Sequence, residues 1–240
     1  MGLDGELRIY TRGSLTNSHL GHAFDLLHSA RSAGADKANA QASELSHRYA
    51  ISSIIHAYAS LESQINHVGY EMFFQERSKR YVPIDKRSFV LRRFVQSWNN
   101  TPCIDKLLYL VTEPGSTPFP EPLNQQLREL NTLRNWLVHG FSYTTTDLVL
   151  PLGTHSWDVV DTEDNVSWLS KFPQTKFRSP DSLSSKEATL SLRIVLEALE
   201  LLSNTLDLPI FFCTITSGMR PNIIYRDKSN LAAALAILNA

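Results

Sequence analysis

The sequence predicts a mainly α protein, an up-and-down helical bundle with a small β-hairpin and irregular insertion. Three stretches predict it. From Lys37 to about Arg80 there is no proline, and apolar residues recur at helical intervals. Residues 121–140 form a second amphipathic repeat. Ser184 and Glu187 have the form of a capping box and open a third apolar run, to about Asn204. With 240 residues, 42% hydrophobic and 20% charged, the chain can bury a sizeable core and is neither disordered nor fibrous. One domain is expected over 1–240: an N-terminal extension (1–36), core helices (37–140), a β and irregular insertion (141–185) and C-terminal helices (186–240).

Residues 1–14 read as a loose leader. Leu20, Phe24, Leu27 and Ala30 fit a short helix from Thr16 to Ser32, which Gly34 ends. His19 and His22 share a face of it, but nothing suggests the further ligands that zinc needs. The long helix, Lys37 to about Arg80, places Ile51, Ile54, Tyr58, Leu61, Ile65, Val68 and Met72 on its core side. Gly69 weakens it by about 1 kcal/mol relative to Ala and marks a candidate bend. Glu62 falls inside the apolar sector, roughly 40° from Tyr58. Asn66 follows one turn later.

Val82-Pro83 breaks that helix, and Asp85 is placed to cap a next one over Lys86 to about Trp98. This region is locally basic, with Arg77, Lys79, Arg80, Lys86, Arg87, Arg92 and Arg93. It fits either a solvated face or a surface for RNA phosphates; Arg128, on a later helix, is a further candidate for such contacts. Cys103 to Val111 reads as a short apolar helix, and the prolines from Pro114 to Pro120 as an extended connection. Pro122 suits the first turn of the helix that follows.

After Gly140 the period changes. Residues 141–150 and 156–160 are β-branched or aromatic, with Pro151 and Gly153 between them, and read as a hairpin. Residues 161–185 read as an irregular excursion. The helix from Ser184 has Leu190, Ile194, Val195, Leu196, Leu199 and Leu202 nearly encircling it. Such a helix belongs in the middle of a bundle or at a subunit contact. Pro209 to Thr216 reads as a strand, and Leu231 to Leu238 as a last helix.

A formal net charge of −1 argues against coating long nucleic acids by bulk electrostatics. It leaves room for a local phosphate patch. Cys103 and Cys213 have neither metal-ligand spacing nor the number for a disulfide framework, so a reducing cytoplasm is expected. The first thirteen residues lack a signal-peptide pattern, and no apolar run approaches a membrane span.

The helix over 121–140 carries the chemistry. Leu123, Leu127, Leu130, Leu133, Leu137 and Val138 make its apolar stripe; Asn124, Arg128, Asn131, Asn135 and His139 run beside it. Arg134 projects within roughly 40° of the centre of the apolar stripe. An unpaired buried charge costs several kcal/mol, so Arg134 is expected to be paired or to have a task. Glu62, possessing the opposite charge in the core face of the long helix, is its expected partner, with Asn66 beside it. The ordinary readings are an arginine that snorkels to solvent and a histidine that suits the C-terminal dipole.

Arg134-Asn135-x-x-x-His139, ending a long amphipathic helix, resembles the R-polar-x3-H motif of HEPN-domain proteins. These are all-helical domains, many of them metal-independent ribonucleases of toxin–antitoxin, abortive-infection and other defence systems. The stretch His56 to Asn66 is similar to their long first helix, where a polar residue commonly faces the motif. The resemblance covers about 37–140, with the 186–206 helix completing the bundle. It implies a HEPN-like fold and a metal-independent endoribonuclease without cofactor, working as a toxin or an antiviral or stress-defence effector. His139 would be base or acid, Arg134 the oxyanion stabiliser, and Asn135 the orienting group, with Glu62 and Asn66 in support. A homodimer with a composite site is implied, and an antitoxin or regulatory protein as a further partner. The alternative is a non-catalytic HEPN-like module that binds RNA, nucleotides or proteins.

Overall fold

A computed structural model describes residues 15–36, 39–115, 118–139, 148–149, 158–159, 176–178, 180–207, 212–214, 222–224 and 238–239. Six long or medium helices carry the fold: α1 (Thr16–Gly34), α2 (Ala40–Phe73), α3 (Phe89–Gln96), α4 (Cys103–Gly115), α5 (Glu121–His139) and α6 (Ser185–Leu206). The architecture is that of an α-helical bundle. α2 and α6 form its centre, each touching α1, α4 and α5 as well as one another. Among the described residues no helix is long and apolar enough to cross a membrane.

α2 has two buried stripes. Ser46, Ala50, Ser53, Ala57 and Ser60 recur at four- and three-residue intervals and are all buried. Small side chains on this stripe let α1 approach closely, and Ser46 and Ser53 donate to the Ala30 and Ala23 carbonyls at 2.7 Å each. Residues 16–34, set apart as an extension by sequence, are therefore a full member of the bundle, with Leu20, Ala23, Phe24, Leu27 and Ala30 all in the core. The second stripe, Ile54, Tyr58, Leu61, Ile65, Val68 and Met72, completes the core face of α2.

α2 ends at Phe73, seven residues short of the sequence expectation. The stop is tertiary. Val82 N–H returns to the Met72 carbonyl at 2.9 Å, and the Arg87 guanidinium donates to the Phe73 carbonyl at 2.6 Å. A cation on a terminal carbonyl is favourable with the helix dipole. Gly69 also has a reason other than bending: a Cβ there would lie 1.9 Å from Trp98 Cζ2. The glycine admits the indole.

Downstream, Asp85 sits in a short 3₁₀ turn (Ile84–Lys86), and the cap of α3 is Ser88, whose hydroxyl accepts from Leu91 N–H. A second 3₁₀ turn, Trp98–Asn100, follows. α4 runs four residues beyond the expected Val111. On α6 the capping box is present, with Glu187 accepting from the Ser184 N–H at 2.8 Å. Arg178 closes on the same carboxylate at 3.2 Å.

In the region of the expected hairpin, β1 (Leu148–Val149) and β2 (Asp158–Val159) pair antiparallel over two residues each; the rest of the 141–175 reading lies outside the described residues. β3 (Phe212–Thr214) pairs antiparallel with β4 (Asn222–Ile224), and β3 lies against α1. The leader 1–14 and nearly all of the expected helix over 231–238 also lie outside them.

Candidate functional site

α2 and α5 meet through two polar contacts about one turn apart, Tyr58 with Asn131 and Glu62 with Arg134. Arg134 Nη2 donates to Glu62 Oε2 at 2.6 Å. The two side chains are 22% and 29% exposed, so the pair is shielded but reached by solvent. Arg134 Nη1 donates to Asn135 Oδ1 at 2.8 Å, and the guanidinium lies 5.3 Å from the centre of the Tyr58 ring. Tyr58 is fully buried, and its hydroxyl donates to Asn131 Oδ1 at 2.7 Å. Burial, then Cys103 and Glu62, push the Tyr58 hydroxyl well above its usual range, with Arg134 opposing. That phenol stays protonated and holds the arginine from below.

α4 closes the far side. Burial, then the Glu62 carboxylate, push the Cys103 thiol up to about 12, which makes it a packing group rather than a nucleophile. Lys106 is 6% exposed. Its ammonium donates to Asn66 Oδ1 at 2.9 Å and lies 5.0 Å from the centre of the Trp98 ring. Burial lowers the Lys106 pKa, with Cys103 and Glu62 opposing. Glu62 thus stands within the field of two cations, one from α5 and one from α4. Asn66 serves Lys106, whereas the sequence had set it beside Arg134.

Tyr58, Asn131 and Lys106 have site contacts that sequence reading did not assign. Lys106 had a signal: it shares one face of an apolar helix with Cys103, Leu107 and Leu110, where a lysine requires partners.

His139 is the last residue of α5 and is exposed. The helix is regular to that point, so Arg134 and His139 leave its axis about 140° apart. Asn135 stands between them, about 40° from His139. Since Asn135 accepts from Arg134, its amide joins the two sectors. Val138, expected in the apolar stripe, is 47% exposed, so the stripe leaves the core before the histidine.

The basic residues separate into different roles. Arg87 is buried, its guanidinium bonded to the Val82 and Phe73 carbonyls and set beside the Phe73 and Tyr81 rings, which removes it from any exposed phosphate surface. Arg80 pairs with Glu71 at 3.3 Å and donates to the Asp207 carbonyl. Arg92 is exposed and donates to the Arg87 carbonyl, and Arg93 sits beside the Phe89 ring. Arg128 donates to Asn124 and lies 3.6 Å from Asp105. Arg77, Lys79 and Lys86 are exposed. No group of three or more potential metal-ligating residues is arranged to hold a metal ion among the described residues. His19 and His56 instead meet nitrogen to nitrogen at 2.9 Å, between α1 and α2.

No protein-family model, curated protein or solved structure matches this chain significantly.

Proposed function

We propose that the protein is an endoribonuclease of the HEPN type that cuts RNA by attack of its own 2′-hydroxyl. The observation that carries the reading is the setting of Arg134. Its fork is held by Glu62 and backed by Tyr58 while still reached by solvent, with Asn135 bonded to it and an exposed imidazole closing the same helix. In the reaction, a neutral His139 takes the 2′-OH proton as the 2′-oxygen bonds to phosphorus. Arg134 steadies the nonbridging oxygens where charge gathers. The bond from phosphorus to the 5′-oxygen breaks, and that oxygen takes a proton from an imidazolium. The products are a 2′,3′-cyclic phosphate and a 5′-hydroxyl.

One imidazole does not serve as base and acid in the same step, and about 140° separates Arg134 from His139 on one regular helix. A homodimer resolves both points by bringing two copies of α5 to one cleft. The exposed Val138 beside His139 supports a contact there. A toxin or defence effector held by an antitoxin or regulatory protein is the corresponding biological role.

The test is incubation with total RNA and with tRNA in chelator, comparing wild type, Arg134→Ala and His139→Ala. Wild type should leave cyclic phosphate ends, and both variants should lose cutting by at least about a hundredfold. Equal cutting by His139→Ala, or none by wild type, overturns the reading. A non-catalytic RNA- or protein-binding module is the second reading. Its support is that the Arg134 contacts described are all with groups of the protein itself.

A further inference from the structure

Beyond Glu62, the row of residues four apart continues through Asn66 and Tyr70 on α2 to Phe74, the residue just past its end. These three, with Trp98, Asn99 and Lys106, line an open hollow of about 310 Å³. That is within the size range of small-ligand sites. Its composition is unusual for a surface hollow. Tyr70 and Phe74 are large aromatic side chains, each 44% exposed, with ring centres 5.8 Å apart. Trp98 is buried beneath. Lys106 brings a cation at 6% exposure, fixed by Asn66 at 2.9 Å and by the Trp98 face. Two asparagine side chains supply both donors and acceptors.

We infer that this hollow is a nucleobase subsite: an unpaired RNA base stacks on Tyr70 and Phe74, and Lys106 with Asn66 meets its polar edge or the adjoining phosphate. The inference rests on the RNA reading above and deepens it by specifying single-stranded RNA. Aromatic surface exposed beside a shielded cation and amides is the combination that binds unstacked bases. Simple burial accounts for Trp98 and Lys106 but not for the outer two rings, which are exposed. The position agrees as well. Asn66 lies one turn, about 6 Å along α2, from Glu62, and Glu62 holds Arg134. A strand seated by a base in the hollow therefore runs toward the guanidinium. Past Phe74 the chain exposes Arg77 and Lys79, cations of the kind that meet phosphates. A duplex, whose bases are stacked on each other, has no base to offer the rings.

The experiment measures binding apart from cutting. A fluorescein-labelled RNA hexamer with every 2′-oxygen methylated cannot be cleaved by its own hydroxyl. Its dissociation constant is read by anisotropy for wild type, Tyr70→Ala, Phe74→Ala and Lys106→Met, each first shown to be folded by circular dichroism. The same hexamer annealed to its complement should not compete. Tyr70→Ala and Phe74→Ala should each bind roughly five- to a hundredfold more weakly, the loss expected for one stacking platform. If the tyrosine and phenylalanine variants bind as wild type does while wild type cuts RNA, the subsite is wrong and the nuclease reading stands. If the hexamer binds through these rings but His139→Ala leaves cutting unchanged, or no RNA is cut, the nuclease reading fails and the subsite stands. Absence of hexamer binding to wild type overturns the subsite outright.

Discussion

Arg134 Nη2 sits 2.6 Å from Glu62 Oε2, joining α5 to α2 across seventy-two residues of sequence. Each partner is placed in the apolar sector of its own helix, so each alone would leave a shielded charge without its counterpart. Glu62→Gln and Arg134→Gln should each lower stability by about 1–3 kcal/mol. The double variant should lose less than the sum, with a coupling of about 1 kcal/mol. Urea denaturation of the four proteins measures it; strictly additive losses would show that the ion pair contributes nothing.

Gly69 offers a test of sign. At an open helix position Gly→Ala gains about 1 kcal/mol. Here the new Cβ would fall 1.9 Å from Trp98 Cζ2, so Gly69→Ala should destabilise by about 1–3 kcal/mol through overpacking. In a Trp98→Leu background the penalty should disappear. A more stable Gly69→Ala single variant would contradict the packing described for the indole.

Arg87 and Lys79 lie in one basic stretch but should behave oppositely. Arg87→Ala removes the donors to the Phe73 and Val82 carbonyls and should cost about 2–4 kcal/mol. Lys79→Ala, at an exposed position, should change stability by no more than about 0.5 kcal/mol. Thermal denaturation separates the two, and equal melting temperatures would refute the structural role of Arg87.

His56 predicts a pH dependence. Burial, then His19 and His22, lower its pKa in the folded protein. Below about pH 6.5 the unfolded chain takes up a proton that the folded site resists. Its contribution to stability is therefore complete above that pH and is lost as pH falls toward the folded value. His56→Gln should flatten this part of the curve of unfolding free energy between pH 7.5 and 5. An unchanged slope would mean that the three-histidine contact does not oppose protonation.

Much of this was legible along the chain. A helix with a charged residue in its apolar sector states a need for a partner, and Glu62 and Arg134, of opposite sign on two helices, could be matched. The capping box at Ser184 and the encircled apolar run on α6 are local or single-helix properties, and they hold in the fold. Other features depend on residues outside the helix concerned. The end of α2 at Phe73 is fixed by Val82 and Arg87, with no Gly or Pro at the stop itself. The cap at Ser88 displaces the equally plausible Asp85 because a 3₁₀ turn uses that residue first.

The sequence by itself determined the helical class, the main apolar stripes of α2 and α5, and the placing of an arginine, an asparagine and a histidine on one segment, because periodicity and spacing are properties of a single chain. Tertiary structure alone decided that Asn66 turns to Lys106, that Tyr58 lies beneath the guanidinium, and that Trp98 enters the gap left by Gly69 to floor a hollow beside the site. Those contacts join helices packed side by side, and which residues meet there depends on how α2, α4 and α5 are rotated and stacked against one another, a relation no one of them encodes.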